Sequence, residues 1–266
     1  MDLGLMGKRA IVTGGSRGIG LAIATELARE GISVAIVARN AVVAEAAAYN
    51  IRKATGGHVI VSLADTGDDA SVKSMGVDVA AKLGGVDILV NCAAEPAGQG
   101  KPPLAEEVTQ NQLMRQMNVK VMGYLRVAQA VIPTMRKQAW GRIISIGGMG
   151  ARKAGDTITS IRNIAVVAMA KNLAEELAGT GITSTVVHPG FTMTNKVSAM
   201  IAREAAAQNK SKADIEAALA SGNLNGYLPT PEDIAGVVAF LASDRARAIN
   251  GDVIAVAGGA KTVIYN

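Results

Sequence analysis

Short, continuously apolar segments alternate with longer helical patterns along almost the whole chain. The first apolar segment, Arg9–Thr13, ends at a pair of glycines, and apolar residues then recur at helical spacing from Ile19 to Glu30. Continuous apolar strands that are each followed by a helix are typical of a parallel sheet that is covered on both faces. The sequence therefore predicts an α/β fold with one parallel sheet of about seven strands and helices on both of its faces.

The same pattern locates the other elements of this fold. Further strands are predicted at Ile32–Ala38, Val59–Leu63, Val86–Val90, Arg142–Ile146, Ile182–Val187 and Val253–Val256, and the longest helices at Gln112–Lys137, Ser160–Ala178 and Pro231–Ser243. No linker interrupts the alternation, so we expect a single domain over residues 1–266. An Ala-rich helical stretch at about 195–228 breaks the rhythm, and it is either a two-helix insertion that covers a pocket or a surface hairpin.

Charge and composition exclude several classes of function. Lysine and arginine number 27 against 22 acidic residues, but the basic residues are scattered and aromatic residues make up only 3%, which argues against nucleic-acid binding. A single cysteine, Cys92, and two histidines argue against a metal site. No apolar run is long enough to span a bilayer, and the first residues do not resemble a secretory signal. We therefore expect a cytoplasmic protein without membrane contacts.

A glycine-rich segment joins the first predicted strand to the first predicted helix. In Thr13-Gly-Gly-Ser-Arg-Gly-Ile-Gly20, Gly14, Gly18 and Gly20 have the spacing G-x-x-x-G-x-G. Glycines let the backbone approach a pyrophosphate, and the start of the following helix offers free N–H groups and the positive end of its dipole. Because a strand precedes this loop and a helix follows it, the sequence predicts a dinucleotide-binding site in a Rossmann-type doubly wound sheet.

The end of the second predicted strand indicates which dinucleotide this is. A carboxylate there would bind the hydroxyls of the adenosine ribose and repel a 2′-phosphate, but the strand ends in Ala38-Arg39-Asn40. Arg17 lies in the glycine loop, so two guanidinium groups are available for a 2′-phosphate. The sequence predicts that NADP(H) is preferred over NAD(H).

These motifs resemble the short-chain dehydrogenase/reductase family, in its single-domain subtype of roughly 250 residues. The resemblance extends from Gly7 to Gly259, and it implies the α/β fold and a nicotinamide dinucleotide as cofactor. The residues that match the cofactor-binding positions of the family are Gly14, Ser16, Arg17, Gly18, Ile19, Gly20, Arg39, Asp65, Asn91, Pro189, Gly190 and Thr194. The resemblance also implies an even-numbered homo-oligomer, a tetramer or a dimer.

The catalytic positions of the family carry other residues in this chain. The family uses an asparagine, a serine after the fifth strand, and a Tyr-x-x-x-Lys motif that opens the next helix. In the family, the tyrosine transfers a proton to or from the substrate oxygen, and the lysine binds the nicotinamide ribose. Asn118 matches the asparagine, whereas the serine position falls on Gly148, the tyrosine position on Thr159 and the lysine position on Asn163. An aliphatic hydroxyl does not titrate as a phenol does, so we expect proton transfer to be atypical or weakened.

Three functions are compatible with this pattern. The first is an NADP(H)-binding oxidoreductase that acts on a small carbonyl or alcohol substrate. The second is a catalytically silent subunit, in a hetero-oligomer with an active family member, or a nucleotide sensor. The third is a lyase or isomerase on the same scaffold. The retained glycine loop, Asp65 and Asn118 favour the first two functions over the third.

Overall fold

A parallel sheet of seven strands forms the centre of the computed structural model, which describes residues 2–95 and 102–263. The strands are β1 (Arg9–Thr13), β2 (Ser33–Ala38), β3 (Val59–Leu63), β4 (Ile88–Asn91), β5 (Gly141–Ile146), β6 (Ile182–Pro189) and β7 (Val253–Val256). Their order is β3-β2-β1-β4-β5-β6-β7, and every neighbouring pair is parallel. The predicted doubly wound α/β fold is therefore confirmed.

Helices pack against both faces of this sheet and are numbered here in chain order. They are α1 (Gly18–Arg29), α2 (Ala41–Thr55), α3 (Asp69–Leu83), α4 (Gln110–Gln116), α5 (Gly123–Gln138), α6 (Thr157–Glu176), α7 (Asn195–Gln208), α8 (Lys212–Ala220) and α9 (Pro231–Ala242). Successive residues of a strand point to opposite faces, so Ile11 packs against the α3, α5 and α6 layer and Val12 against the α1, α2 and α9 layer. Both neighbours are fully buried, which explains why most positions of the strands are apolar.

The prediction of one continuous helix over Gln112–Lys137 is wrong in one respect. A π-helical turn, Met117–Met122, separates α4 from α5. Two polar side chains of this turn bind backbone carbonyls elsewhere: Asn118 donates to Gly67 and Lys120 to Gly147. These contacts hold the turn in its wider form, and apolar periodicity alone does not reveal them. π-Helical turns inside longer helices are often found at functional sites.

The carboxyl ends of β1 and β4 meet where the strand order reverses. The Thr13 hydroxyl oxygen accepts hydrogen bonds from the backbone N–H groups of Cys92, at 3.0 Å, and Ala93, at 3.1 Å. In open α/β sheets, ligands bind outside the carboxyl ends of the strands at such a switch point. The fold thus brings the glycine loop after β1 and the segment after β4 to one candidate binding edge.

Two helices, α7 and α8, occupy the Ala-rich stretch and share a small apolar cluster that includes Val197, Ile201 and Ile215. The first residue before α7, Thr194, lies beside the glycine loop, because its Cγ2 is 3.6 Å from the point where a Cβ on Gly18 would sit. That the whole chain is one domain, with α7 and α8 as a cover over the substrate, stays a prediction. In the described residues, no helix is both long and apolar enough to cross a membrane.

Candidate active site

The glycine loop has the geometry that an anion-binding helix start requires. Gly14 has a φ of +68°, and a Cβ there would lie 3.0 Å from Cα of Ala93. A Cβ on Gly20 would collide with the carbonyl of Gly14, so the loop can pack against α1 only without side chains at both positions. Arg17 is the N-cap of α1 and its side chain makes no capping hydrogen bond. The first N–H groups of α1 are therefore left uncapped by this side chain.

Two basic side chains flank this loop on the side of β2. Arg17 and Arg39 are exposed. Arg39 Nη1 lies 3.9 Å from Oδ2 of Asp65, with 69% of the Arg39 side chain exposed, so this ion pair is loose. The other carboxylate oxygen of Asp65 accepts a hydrogen bond from the backbone N–H of Gly67, at 2.9 Å. Arg39 therefore keeps its charge available to a phosphate group at the end of β2.

The remaining residues of the predicted cofactor site lie at strand ends of the same edge. Pro189 ends β6, and the backbone N–H of Gly190 donates to the carbonyl of Val256 at 2.9 Å. The Asn91 side chain is buried, and its Nδ2 donates to the carbonyl of Tyr124 at 3.3 Å. The side-chain oxygen Oδ1 of Asn91 has no hydrogen-bond partner among the described residues. Ser16 and Ile19 are half-buried within the loop and the first turn of α1.

Gly148 is held in place by a buried histidine at the end of β6. Its backbone N–H donates to Nδ1 of His188 at 3.0 Å, and the imidazole is fully buried. Burial, together with the charges of Arg152 and Lys120, lowers the pKa of His188 to about 4. The ring is therefore neutral at pH 7, with its proton on Nε2, which has no hydrogen-bond partner within residues 2–95 and 102–263. Such a group anchors the loop rather than donating protons to a substrate.

Thr159 and Asn163 lie together against the glycines that follow β5. A Cβ on Gly150 would lie 2.8 Å from Cγ2 of Thr159 and 3.3 Å from Nδ2 of Asn163. The Thr159 hydroxyl donates to Oδ2 of Asp156 at 2.8 Å, and Asp156 also caps α6 through the Thr159 backbone N–H. The structure therefore brings Gly148, Thr159 and Asn163 together, with the hydroxyl proton of Thr159 committed to a carboxylate.

The sequence analysis missed Lys120, whose ammonium lies beside Asn163. Its Nζ donates to Oδ1 of Asn163 and to the carbonyl of Gly147, both at 2.8 Å. Burial and the nearby Arg162 guanidinium lower the pKa of Lys120 to about 7. The only hint in the sequence is that Lys120 stands between Val119 and Val121, in a segment that is otherwise apolar.

Asn118 is directed away from Asn163. Its Nδ2 donates to the carbonyl of Gly67 at 3.0 Å, next to Asp65. The backbone carbonyl of Asn118 accepts a hydrogen bond from the side chain of Arg126 at 3.2 Å. Asn118 thus fixes the π-helical turn against the loop after β3. The structure does not bring its side chain to Thr159 or Asn163, and a role in catalysis stays a prediction.

A cavity of about 210 Å³ opens beside Thr159. Its lining residues are Glu95, Pro103, Gln112, Arg115, Gln116, Asp156, Ile158, Thr159 and Arg162. Arg162 is buried and donates to the carbonyl of Glu95 at 3.1 Å and to the side-chain oxygen of Gln116. Arg162 lies three residues after Thr159 on the same helix and so shares this cavity with it.

Of the two arginines that line this cavity, only Arg115 forms an ion pair among the described residues. Arg115, whose side chain is 70% exposed, forms an ion pair with Glu95 at 2.6 Å. Arg162 forms no ion pair with any carboxylate in the part of the chain that the structure describes. The buried guanidinium therefore remains a strong donor for an oxygen-rich ligand. The described residues contain no group of three or more His, Cys, Asp or Glu that could hold a metal ion.

Comparison with known sequences identifies the proteins to which this chain is similar. A family model described as enoyl-(acyl carrier protein) reductase matches residues 14–261. The 3-oxoacyl-(acyl-carrier-protein) reductase FabG of Salmonella typhimurium is 34% identical over 255 residues, which cover 95% of this chain and 97% of that protein. The protein of the same name from Staphylococcus epidermidis is 35% identical, over 96% and 99% of the two chains.

Solved structures agree with this result. L-Sorbose reductase of Gluconobacter frateurii, in complex with NADPH and L-sorbose, superposes with a TM-score of 0.92 at 28% identity, over 99% of this chain and 100% of that one. A short-chain dehydrogenase/reductase of Serratia marcescens, solved as a double mutant, has a TM-score of 0.82 at 32% identity, over 96% and 98% of the two chains.

Proposed function

Because the chain belongs to the short-chain dehydrogenase/reductase family, we propose that it is an NADP(H)-dependent oxidoreductase that reduces a small polar carbonyl compound with weakened proton transfer. The observation that carries the proposal is the uncapped start of α1 at the switch point between β1 and β4. It lies at the same edge of the sheet as the cluster of Gly148, Thr159 and Asn163.

NADP(H) fits the residues around the glycine loop. The first N–H groups of α1 suit the pyrophosphate, and Gly14 and Gly20 leave room for it. Arg17 and Arg39 suit the 2′-phosphate, because both guanidinium groups are exposed and no carboxylate follows β2 directly. When bound, the cofactor supplies the hydride. Of the similar solved structures, the sorbose reductase is a complex with NADPH, and a reductase of bacilysin biosynthesis is NADPH-dependent.

Proton transfer is the step that we propose to be weak. Gly148, Thr159 and Asn163 stand where the family has its serine, tyrosine and lysine. Thr159 has an aliphatic hydroxyl whose proton is directed at Asp156, so it is a poor acid for a substrate oxygen. General acid catalysis is worth about 10²–10⁴-fold in rate, and its loss leaves positioning of the substrate against the cofactor as the main contribution.

The cavity beside Thr159 supports a small, polar substrate. Seven of its nine lining residues are polar or charged, and they include both hydrogen-bond donors and acceptors. Its volume of about 210 Å³ suits a compound of a few carbon atoms with hydroxyl groups better than a long acyl chain. Arg162 would bind an oxygen atom of such a substrate.

The second candidate function is nucleotide binding without turnover, in a sensor or in the silent subunit of a mixed oligomer. The engagement of the Thr159 hydroxyl by Asp156 favours it, because no titratable donor replaces the phenol at that position. A lyase or isomerase remains the third alternative. The even-numbered homo-oligomer and the cytoplasmic location stay predictions from the sequence.

One experiment separates these functions. Purified protein is titrated with NADPH in a calorimeter, and the NADPH absorption band is then followed with hydroxyketones and an activated diketone while products are identified by mass spectrometry. We expect saturable binding and alcohol formation at a kcat below about 1 s⁻¹, the low end for enzymes. Binding without oxidation would favour the silent protein, and substrate conversion without NADPH oxidation would favour the lyase or isomerase. Absence of binding would refute the proposed function.

A further inference from the structure

Lys120 is a buried ammonium group without an ionic partner among the described residues. Only 4% of the residue is exposed, and its Nζ donates to two neutral oxygens, the carbonyl of Gly147 and Oδ1 of Asn163, each at 2.8 Å. No carboxylate lies within ion-pair distance of Nζ among residues 2–95 and 102–263. Because burying an unpaired charge is costly, a cation in this place needs a reason beyond packing.

The ammonium determines how the Asn163 amide is oriented. A lysine ammonium can only donate, so the amide atom 2.8 Å from it must be the oxygen, and Nδ2 must point the other way. Nδ2 lies on the side of Gly148 and Gly150, where added Cβ atoms would be 3.1 Å and 3.3 Å from it. In the described part of the chain, Nδ2 has no acceptor within hydrogen-bond distance. Lys120 thus directs a free N–H donor into the space that two glycines leave open.

The ammonium of Lys120 and the N–H donor of Asn163 belong to different structural elements. In the resemblance described above, position 163 holds the lysine that binds the nicotinamide ribose. Here position 163 holds an amide, while the ammonium comes from the π-helical turn Met117–Met122 and ends 2.8 Å from that amide. A donor next to a cation is polarised by it, and hydrogen bonds that involve a charged group are stronger than neutral ones.

We propose that Lys120 is a positioning residue, which holds Asn163 so that its Nδ2–H binds the nicotinamide ribose of the cofactor. The proposal rests on the proposed NADP(H) binding. In this proposal, the amide of Asn163 donates the hydrogen bond at position 163, and Lys120 supplies the positive charge that strengthens this donor. The burial that lowers the pKa of Lys120 toward 7 agrees with an ammonium taken into the site at a cost.

The test compares two ligands that share the adenosine end. NADPH carries the nicotinamide ribose, whereas adenosine 2′,5′-bisphosphate lacks it. In Lys120→Met, we expect the Kd for NADPH to rise about tenfold, as for the loss of one charge-assisted hydrogen bond, and the Kd for the bisphosphate to stay within about twofold. Both constants are measured by calorimetry at pH 6.5, where Lys120 is largely charged.

Two further variants distinguish positioning from structural support. Asn163→Asp pairs the buried ammonium but removes the N–H donor, so it should unfold at no lower urea concentration than wild type and still lose about tenfold in NADPH affinity. The double variant Lys120→Met with Asn163→Lys returns the ammonium to position 163, and it should recover NADPH affinity to within about threefold of wild type. Asn163→Asp also keeps the test valid if Lys120→Met does not fold.

The outcomes that contradict the inference differ from those that contradict the proposed function. Equal weakening of both ligands in Lys120→Met, or unchanged NADPH affinity in either single variant, would overturn the positioning role while NADP(H) binding stands. Wild-type protein that binds neither NADPH nor the bisphosphate would overturn the proposed function and the inference with it.

Discussion

The backbone N–H of Gly148 donates to Nδ1 of the fully buried His188 at 3.0 Å, which ties the loop after β5 to the end of β6. A Cβ on the preceding Gly147 would overlap the same imidazole ring, so the ring and the loop fit together closely. Because Nδ1 accepts this hydrogen bond, protonation of His188 would break it and leave a charge buried beside Lys120.

This contact predicts how stability depends on pH. The pKa of His188 is lowered to about 4 in the folded protein from the ordinary 6.5, so the unfolded chain binds more protons between these values. The contribution of His188 to the free energy of unfolding is therefore fully present above pH 6.5. It is lost as pH falls toward 4, with a slope of at most about 1.4 kcal/mol per pH unit. In His188→Asn, whose Oδ1 can still accept from Gly148, urea unfolding should show a smaller loss over this range.

The other histidine supplies a matched control. His58 is exposed, so His58→Asn should keep the wild-type dependence of unfolding free energy on pH. If His188→Asn and wild type lose the same free energy between pH 6.5 and 4, the buried imidazole does not remain neutral as inferred.

Cofactor preference should depend on Arg39. The guanidinium is exposed and only loosely paired with Asp65, so it can bind a 2′-phosphate at little cost. We expect wild type to bind NADPH more tightly than NADH in calorimetric titration, and Arg39→Asp to reverse this order by repelling the phosphate. Arg29→Asp, the same charge change at the far end of α1, should leave the order unchanged. Equal affinity of wild type for both nucleotides would contradict the prediction.

Substrate recognition should depend on the buried arginine of the cavity and less on the exposed one. Arg162→Met removes a guanidinium that has no ionic partner in the part of the chain that the structure describes. The KM for a hydroxyketone should therefore rise about tenfold or more, as for the loss of one charge-assisted hydrogen bond. Arg115→Met removes an exposed group already paired with Glu95 and should change KM by less than about threefold. Steady-state NADPH oxidation measures both. Equal effects would mean that the substrate does not occupy this cavity.

The elements of the sheet were predictable because their pattern has one physical cause. A strand that is buried on both faces is mostly apolar, and β1, whose centre is Ala10-Ile-Val12, accordingly occupies the residues predicted for it, Arg9–Thr13. The predicted strand at Val86–Val90 is observed at Ile88–Asn91, and Asp87, just before it, forms an ion pair with the side chain of Arg9 at 2.7 Å. Hydrophobic patterns in the sequence indicate which residues are buried, but they do not indicate which polar groups contact one another.

The candidate site shows the limit of the same reasoning. Asn163 was found because the resemblance to the family places it at the lysine position of the Tyr-x-x-x-Lys motif. Lys120 was not found, because its two acceptors come from elements 27 and 43 residues away. A lysine between Val119 and Val121 is ordinarily directed to solvent by its hydration, and only the assembled fold supplies the oxygens that replace water around it.

The last prediction concerns the restoration of family chemistry. Gly148→Ser, Thr159→Tyr and Asn163→Lys together would supply the serine, tyrosine and lysine, but the new lysine would meet Lys120, whose Nζ already lies 2.8 Å from the side chain at 163. Two ammonium groups held close together in a buried site repel each other strongly, because little water is available to screen their charges. We therefore expect the triple variant to be destabilised and to gain little activity.

Removal of Lys120 should complete the restoration. Adding Lys120→Met to the triple variant leaves one ammonium at position 163, beside the new phenol, and should raise NADPH oxidation with an activated diketone by about 10²–10⁴-fold over wild type. Lys120→Met alone is the control and should show no gain, since groups that act as a unit do little singly. Absorbance of NADPH gives the rates, and thermal unfolding shows whether each variant is folded. A wild type that already reduces common ketones with a kcat of about 1–10³ s⁻¹ would refute the weakened proton transfer. It would mean that another group in this site is the acid.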